Sequence, residues 1–186
     1  MRVLGIDPGS RFLGYGVVEW KGRTAIHVNS GVVKADGKSP LHLRLSTIFT
    51  ELRSVFDVYR PDAVAVEGVF THKNARSALI LGHARGVALL LAAQSGVDVH
   101  EYAPARVKKA VGAGGNDSKE SVARMVSMLL RLPNDFDRAD ASDALAVALC
   151  HVNQLRVPRA SPAGKPVGAG DTFFSRLKPS VVRAAP

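Results

Sequence analysis

The first sixteen residues, MRVLGIDPGSRFLGYG (1–16), determine how the rest of the chain is interpreted. The apolar run from Val3 to Ile6 predicts a buried strand, and Asp7 follows it directly. Pro8-Gly9 then predicts a turn, after which the chain returns as a second strand. A carboxylate at the end of a buried strand is costly unless it has a partner. Asp7 is therefore either a turn residue that hydrogen-bonds its own backbone or part of a functional site.

The composition indicates a basic globular protein. The chain has 186 residues, 46% of them hydrophobic, which is enough for one domain with a proper core. Its net charge of +9 favours a polyanionic partner, with nucleic acid ahead of an anionic membrane. A surface charged only for solubility is the alternative.

The charge and the composition divide the chain into two parts. Residues 156–186 hold six cations and one acid, a net +5, so residues 1–155 carry +4. The later segment is rich in Pro, Gly and Ala without periodicity, which predicts a basic, disordered C-terminal tail. We expect residues 1–155 to form the folded domain.

Other features of the sequence favour a cytoplasmic protein. No apolar run is expected to reach the length of a membrane span, and no basic-then-apolar secretory signal opens the chain. The single cysteine, Cys150, cannot form an internal disulfide, and its apolar surroundings predict a core position. We therefore expect a reducing cytoplasm and no membrane partner.

Strand and helix patterns alternate and predict an α/β fold with a central five-stranded mixed sheet flanked by helices. Strands are predicted at about 3–6, 15–19, 25–33, 62–67 and 97–101. Helices are predicted at about 41–59, 73–95, 104–111, 117–131 and 138–155. Ser39 is expected to cap the first helix with Pro40 at its first position, and Asp117 to cap the fourth. Gly82 and Gly86 share a helix face, which favours tight packing on the sheet over a dimer interface.

Four acids stand out against this framework. Glu67 ends its apolar run as Asp7 ends the first, and neighbouring parallel strands end at the same edge of a sheet. Asp140 and Asp143 are three residues apart on an otherwise apolar helix and so share one face. Such a pair raises its own pKa values unless a cation neutralises it. The alternative is that one of the two caps the helix or pairs with Arg138 while the other faces water.

Together, these acids predict a site for two divalent cations at the edge of the sheet. Oxygen ligands favour magnesium or manganese, and no Cys/His cluster indicates zinc. A two-metal carboxylate site in a basic protein is typical of phosphodiester cleavage, in which one metal activates water and the other stabilises the leaving 3′ oxygen.

Four segments, in order, are similar to the RuvC family of bacterial Holliday-junction resolvases over residues 1–155. They are IDPGSRFLGYGVV (6–18), VEGVFTHKNARSALILGHARGVA (66–88), EYAPARVKKAVGAGGNDSKESV (101–122) and ADASDALAVALCH (139–151). The resemblance implies a ribonuclease H-like fold and a crossover junction endodeoxyribonuclease that makes two symmetric nicks in a four-way DNA junction. It implies Asp7, Glu67, Asp140 and Asp143 as catalytic metal ligands for two Mg²⁺ ions, with Mn²⁺ as the alternative. It also implies a homodimer that works with the RuvA–RuvB branch-migration complex during recombination and repair.

The same resemblance assigns DNA contacts. It implies that Lys108 and Lys119 hold phosphates near the scissile bond, where their charge neutralises the backbone. It implies that Phe70 stacks on an exposed base at the junction centre. Lys73 and Arg76 are further candidates for backbone contacts. The simpler interpretation is solvated lysines and a core phenylalanine.

The sequence departs from the family pattern at two positions and leaves other functions open. Gly68 stands where a larger polar residue is common, and Ser142 stands where alanine is; Gly68 is expected to alter sequence preference. A YqgF-like RNA-processing nuclease of the same fold and a non-catalytic junction-binding protein are the alternatives. Actin-like kinases share the Asp7-Pro8-Gly9 pattern but need a second phosphate loop and about twice the chain.

Overall fold

The computed structural model describes residues 1–68, 75–114, 117–133, 136 and 138–156. The strands are β1 (Arg2–Asp7), β2 (Phe12–Lys21), β3 (Thr24–Lys34), β4 (Ala63–Glu67) and β5 (Asp98–Tyr102). The helices are α1 (Leu41–Tyr59), α2 (Ala75–Gln94), α3 (Pro104–Ala110), α4 (Lys119–Leu130) and α5 (Ala139–Arg156).

The five strands form one mixed sheet, as predicted, and the structure orders them β3-β2-β1-β4-β5. β2 pairs antiparallel with β1 and β3, whereas β4 pairs parallel with β1 and β5. The register places Ile6 opposite Val66. The next residues along these strands, Asp7 and Glu67, therefore lie side by side at one edge of the sheet.

Both faces of the sheet are buried. Leu4 and Val64 point into a core shared with α1 and α2, whereas Val3 and Ala65 point into a core shared with α3, α4 and α5. Since successive strand residues point to opposite faces, a strand covered on both sides is apolar at every position. This accounts for the apolar runs without alternation. Cys150 lies in the second core, as expected.

Helix α5 lies directly on the backbones of β1 and β2. A Cβ atom on Gly5 would overlap the carbonyl oxygen of Ala144, and one on Gly14 would overlap that of Asp140. Only glycine permits an approach this close. These two glycines place the first turn of α5 over the edge of the sheet where β1 ends.

Both predicted helix caps differ from the structure by one residue. Pro40 is itself the N-cap of α1, and the Ser39 hydroxyl donates instead to Asp36 Oδ2 at 3.1 Å. Ser118, not Asp117, caps α4, because the Asp117 carboxylate accepts a backbone N–H from the preceding glycine loop. Short polar side chains compete for several backbone donors nearby, so spacing alone does not choose between them.

The expectation that Gly82 and Gly86 pack on the sheet is wrong. A Cβ atom at either position would meet nothing within 4 Å. Leu79 and Leu90 on the same helix are 66% and 52% exposed. By length and composition, α2 is also long and apolar enough to cross a membrane, with a mean hydropathy of 1.3, although no apolar run of that length was expected. The described structure therefore leaves much of α2 as an exposed apolar surface.

Candidate active site

The two strand acids lie where β1 and β4 end, mostly buried and without an ion pair to any described residue. The pKa of Asp7 is raised to about 8, mainly by burial and then by the nearby charges of Glu67, Asp143 and Asp140, against an opposing effect of Lys119. Burial, followed by the charge of Asp143, also raises the pKa of Glu67. A buried carboxylate with no counterion is stabilised by gaining a proton or by binding a cation.

The two helix acids are each held by a basic side chain. Arg138 Nε donates to Asp140 Oδ2 at 3.0 Å, and Lys119 Nζ donates to Asp143 Oδ2 at 2.9 Å. The hydrogen bond to Asp143 is the main reason that the pKa of Lys119 is raised. The predicted alternative is correct for the Asp140–Arg138 pair, but Asp143 pairs with Lys119 instead of simply facing water.

The structure therefore brings the four acids into one electrostatic cluster, since the other three all act on Asp7. As the side chains stand, no three Asp, Glu, His or Cys groups among the described residues are placed to share a metal ion. The donor chemistry nevertheless fits a divalent cation, because all four donors are carboxylates and Asp7 is buried among like charges. Lys119 supplies part of the positive charge that such an ion would bring.

The predicted DNA-binding residues are only partly described. Lys108 Nζ donates to the carbonyl oxygen of Asp117 at 3.0 Å, and its charge lowers the pKa of Glu67 against the effect of burial. Lys108 and Lys119 thus both lie near the acids, on either side of the glycine loop. Arg76 lies exposed in the first turn of α2. Phe70 and Lys73 lie outside the described residues.

Two contacts that support the site were not predicted. Arg44 Nη1 donates to Ser10 Oγ at 3.0 Å and so braces the turn that follows Asp7. The guanidinium of Arg138 lies over the ring of Phe12, 3.6 Å from its centroid. Each contact joins residues that are distant in sequence, and no local pattern signals it.

The two departures from the family pattern leave the acids in place. Ser142 is fully buried, and its hydroxyl donates to the carbonyl oxygen of Ala139 at 2.8 Å, so its polar group is satisfied inside α5. A Cβ atom on Gly68 would lie 3.4 Å from the carbonyl oxygen of Tyr102, an ordinary contact, so a Cβ atom fits there among the described residues. The effect of Gly68 on sequence preference stays a prediction.

The pKa of Asp7 has a consequence for stability. Folded Asp7 keeps its proton up to about pH 8, whereas the unfolded chain releases it near the ordinary value of 3.8. The contribution of protonated Asp7 to the free energy of unfolding is therefore fully present below about pH 4 and is lost as the pH rises through about 8. In EDTA, we expect the Tm of wild type to fall below that of Asp7→Asn by about 4 °C or more at pH 8, and the two to converge at pH 4.

Thermal unfolding followed by circular dichroism across this pH range measures the difference. The matched control is Asp98→Asn, which removes an exposed carboxylate from β5. Parallel curves for wild type and Asp7→Asn at every pH would contradict the assignment of a strongly raised pKa to Asp7.

Comparison with known proteins agrees with this architecture. The family model described as "Crossover junction endodeoxyribonuclease RuvC" matches residues 3–151. A protein of that name from Myxococcus xanthus is 60% identical over 98% of both chains, so the alignment extends past residue 156. One from Pelobacter propionicus is 48% identical over 96% of this chain and all of its own.

Solved structures give the same result. Thermus thermophilus RuvC in complex with a Holliday junction substrate superposes with a TM-score of 0.76 and 37% identity, covering 84% of this chain and 96% of that one. The yeast mitochondrial Holliday junction resolvase Ydc2, at 15% identity and a TM-score of 0.55, shares the fold. The sheet order, the acids at the end of β1 and β4 and the family match over 3–151 agree: this chain belongs to the RuvC family of crossover junction endodeoxyribonucleases.

Proposed function

We propose that this chain resolves four-way (Holliday) DNA junctions by paired, metal-dependent nicks during recombination and repair, with Asp7, Glu67, Asp140 and Asp143 as its catalytic residues. The observation that carries the proposal is the burial of Asp7 beside three further carboxylates, which raises its pKa to about 8. A non-catalytic binding protein gains nothing from such a destabilising cluster. The family match favours neither a non-catalytic junction-binding protein nor a YqgF-like RNA-processing nuclease.

The four carboxylates would hold the cation. Nucleases of this family are metal-dependent, and we propose two Mg²⁺ ions per site, with Mn²⁺ as the alternative. Bound divalent ions would lower the pKa of an attacking water and stabilise the leaving 3′ oxygen. The chain's own part is to present carboxylate oxygens from two rigid strands and one helix and to limit the access of water to Asp7.

Basic groups around the acids would hold the DNA. Lys119 and Lys108 lie beside the carboxylates, where either ammonium can contact a phosphate close to the scissile bond. Lys119 would then exchange its contact with Asp143 for one with DNA. We further propose that Phe70 stacks on an exposed base and that Lys73 and Arg76 contact the backbone.

We also propose that two copies pair through α2. The helix exposes Leu79 and Leu90, and its two open glycines leave room for the backbone of a second copy. A two-fold dimer matches the two-fold symmetry of a four-way junction and would place one site on each of two strands.

The remaining assignments complete the proposal. The nuclease domain spans residues 1–155. Of the basic tail, residues 156–186, only Arg156 is described, as the last residue of α5. The protein acts in the bacterial cytoplasm together with the RuvA–RuvB branch-migration complex.

Cleavage of a synthetic mobile four-way junction tests the function. With Mg²⁺, we expect two nicks at symmetric positions on opposing strands, and no cutting of a linear duplex of the same sequence. Binding without cutting of any junction sequence under any divalent metal would identify a junction-binding protein instead. Cutting of structured RNA in preference to the junction would favour the YqgF-like alternative.

The proposed dimer makes a separate prediction. A charge on the exposed face of α2, in Leu79→Glu, should convert the dimer to a monomer, because a buried unpaired carboxylate opposes association. Sedimentation velocity measures the change. Leu43→Glu, which alters a leucine that is 51% exposed on α1, should leave the dimer intact. Equal sedimentation of both variants and wild type would exclude α2 as the interface.

A further inference from the structure

We infer that Arg138 is a positioning residue for Asp140: its guanidinium, stacked on the ring of Phe12, fixes the orientation of the Asp140 carboxylate for cation binding. This inference rests on the proposed function, because it concerns the same acid cluster. It adds two residues, Arg138 and Phe12, to the four acids and two lysines already considered.

The Arg138 side chain contacts both Asp140 and Phe12. Arg138 Nε donates to Asp140 Oδ2 at 3.0 Å, while the guanidinium carbon lies 3.6 Å from the centroid of the Phe12 ring. Phe12 is the first residue of β2 and pairs with Lys34 of β3, so the ring is mounted on the sheet. The backbone of Asp140 is held separately, against Gly14. The backbone and the carboxylate of Asp140 are thus fixed to the same strand by different contacts.

Helix stability does not account for an arginine at this position. Arg138 immediately precedes α5, and its carbonyl oxygen accepts the N–H of Ala141, which places it at the N-cap. An N-cap side chain stabilises a helix by accepting a hydrogen bond, and arginine has no acceptor. Its positive charge also opposes the helix dipole there. A serine in place of Arg138 would suit the helix better, so the arginine is explained by what its side chain contacts.

Orientation and charge predict opposite effects on cation binding. Arg138 repels a cation near Asp140, so a purely electrostatic role predicts tighter metal binding once the arginine is removed. A positioning role predicts weaker binding, because a carboxylate free to rotate must be ordered again when the ion binds. Loss of a side chain that orients a metal ligand typically weakens binding by about 10- to 100-fold. The sign of the change therefore separates the two roles.

The experiment compares Arg138→Ser, Arg138→Lys and Phe12→Leu with wild type. Binding of Mn²⁺ to the DNA-free protein is measured by the loss of the free-ion electron paramagnetic resonance signal, and Tm by calorimetry. We expect Arg138→Ser to weaken Mn²⁺ binding by about 10-fold while keeping or raising the Tm. Arg138→Lys retains the charge but not the planar stack, and Phe12→Leu removes the ring, so both should also weaken binding. Arg53→Ser removes the same charge from α1, on the opposite face of the sheet, and is the matched control; it should leave Mn²⁺ binding unchanged.

Each outcome decides the inference. Tighter or unchanged Mn²⁺ binding in Arg138→Ser, or full recovery in Arg138→Lys, would overturn the positioning role. Junction cleavage by wild type and Asp7→Asn, run in parallel, tests the proposed function separately. If Asp7→Asn still cuts, the function assigned to the cluster fails, whereas unchanged Arg138 variants beside an inactive Asp7→Asn would refute only the role of Arg138.

Discussion

Asp7→Asn should reduce junction cleavage by about 10³-fold or more while leaving junction binding intact. The substitution keeps the size of the side chain but replaces one carboxylate oxygen with an N–H donor and removes the negative charge at the centre of the acid cluster. Asp7 lies at the end of a buried strand, and its charge interacts with those of Glu67, Asp140 and Asp143. Single-turnover cleavage and an electrophoretic binding assay, both with a four-way junction, measure the two effects.

Controls separate a lost catalytic group from a lost fold. Asp7→Asn should be as stable as wild type or more stable in the absence of metal, since its raised pKa makes ionised Asp7 unfavourable at neutral pH. Asp98→Asn, on the exposed start of β5, should cut normally. Normal cleavage by Asp7→Asn would remove Asp7 from the mechanism, and lost binding would indicate that Asp7 instead supports the DNA-binding surface.

Gly14→Ala should destabilise the fold by about 3 kcal/mol or more, although it adds a single methyl group. Its Cβ would overlap the carbonyl oxygen of Asp140 and crowd the side chain of the same residue. The backbone cannot yield without moving the start of α5, which carries both helix acids. We therefore expect the Tm to fall by about 6–12 °C and cleavage to fall with it, even under conditions where the protein is still folded.

Thermal and urea denaturation measure the loss of stability. Gly68→Ala is the matched control, since its nearest neighbour would lie 3.4 Å away, and it should change the Tm by no more than about 2 °C. Its place beside Glu67 limits this control to stability. A Gly14→Ala protein as stable as wild type would show that α5 does not rest on β2 as described.

The sequence by itself determined the family, the fold class and the identity of the four acids. Those predictions depended on local patterns. An apolar run that ends in an acid and a turn identifies Asp7, and the separation of three residues on an apolar helix pairs Asp140 with Asp143. The order of the motifs identified the family, and the family and the five-stranded mixed sheet are confirmed. The roles of the acids stay predictions.

Local patterns also predicted the cation beside Asp140, but only as an alternative. They did not predict the pairing of Lys119 with Asp143, the stacking of Arg138 on Phe12, or the contact of Arg44 with Ser10. Each of these contacts joins residues between 24 and 126 positions apart. Only packing brings such residues together, and a periodic pattern in one segment carries no information about the segment opposite.

The glycines of α2, β1 and β2 also show the difference between what local spacing predicts and what packing decides. In the sequence, Gly82 and Gly86 have the spacing of a tight packing contact, whereas Gly5 and Gly14 resemble ordinary strand glycines. The structure reverses these roles, because α5 rests on the strands and α2 leaves its glycines open. The sequence determined which residues could carry the chemistry. The tertiary structure alone decided that Lys119 holds Asp143, that Arg138 lies over Phe12 and that an apolar face of α2 stays exposed, since these depend on how whole elements pack against one another.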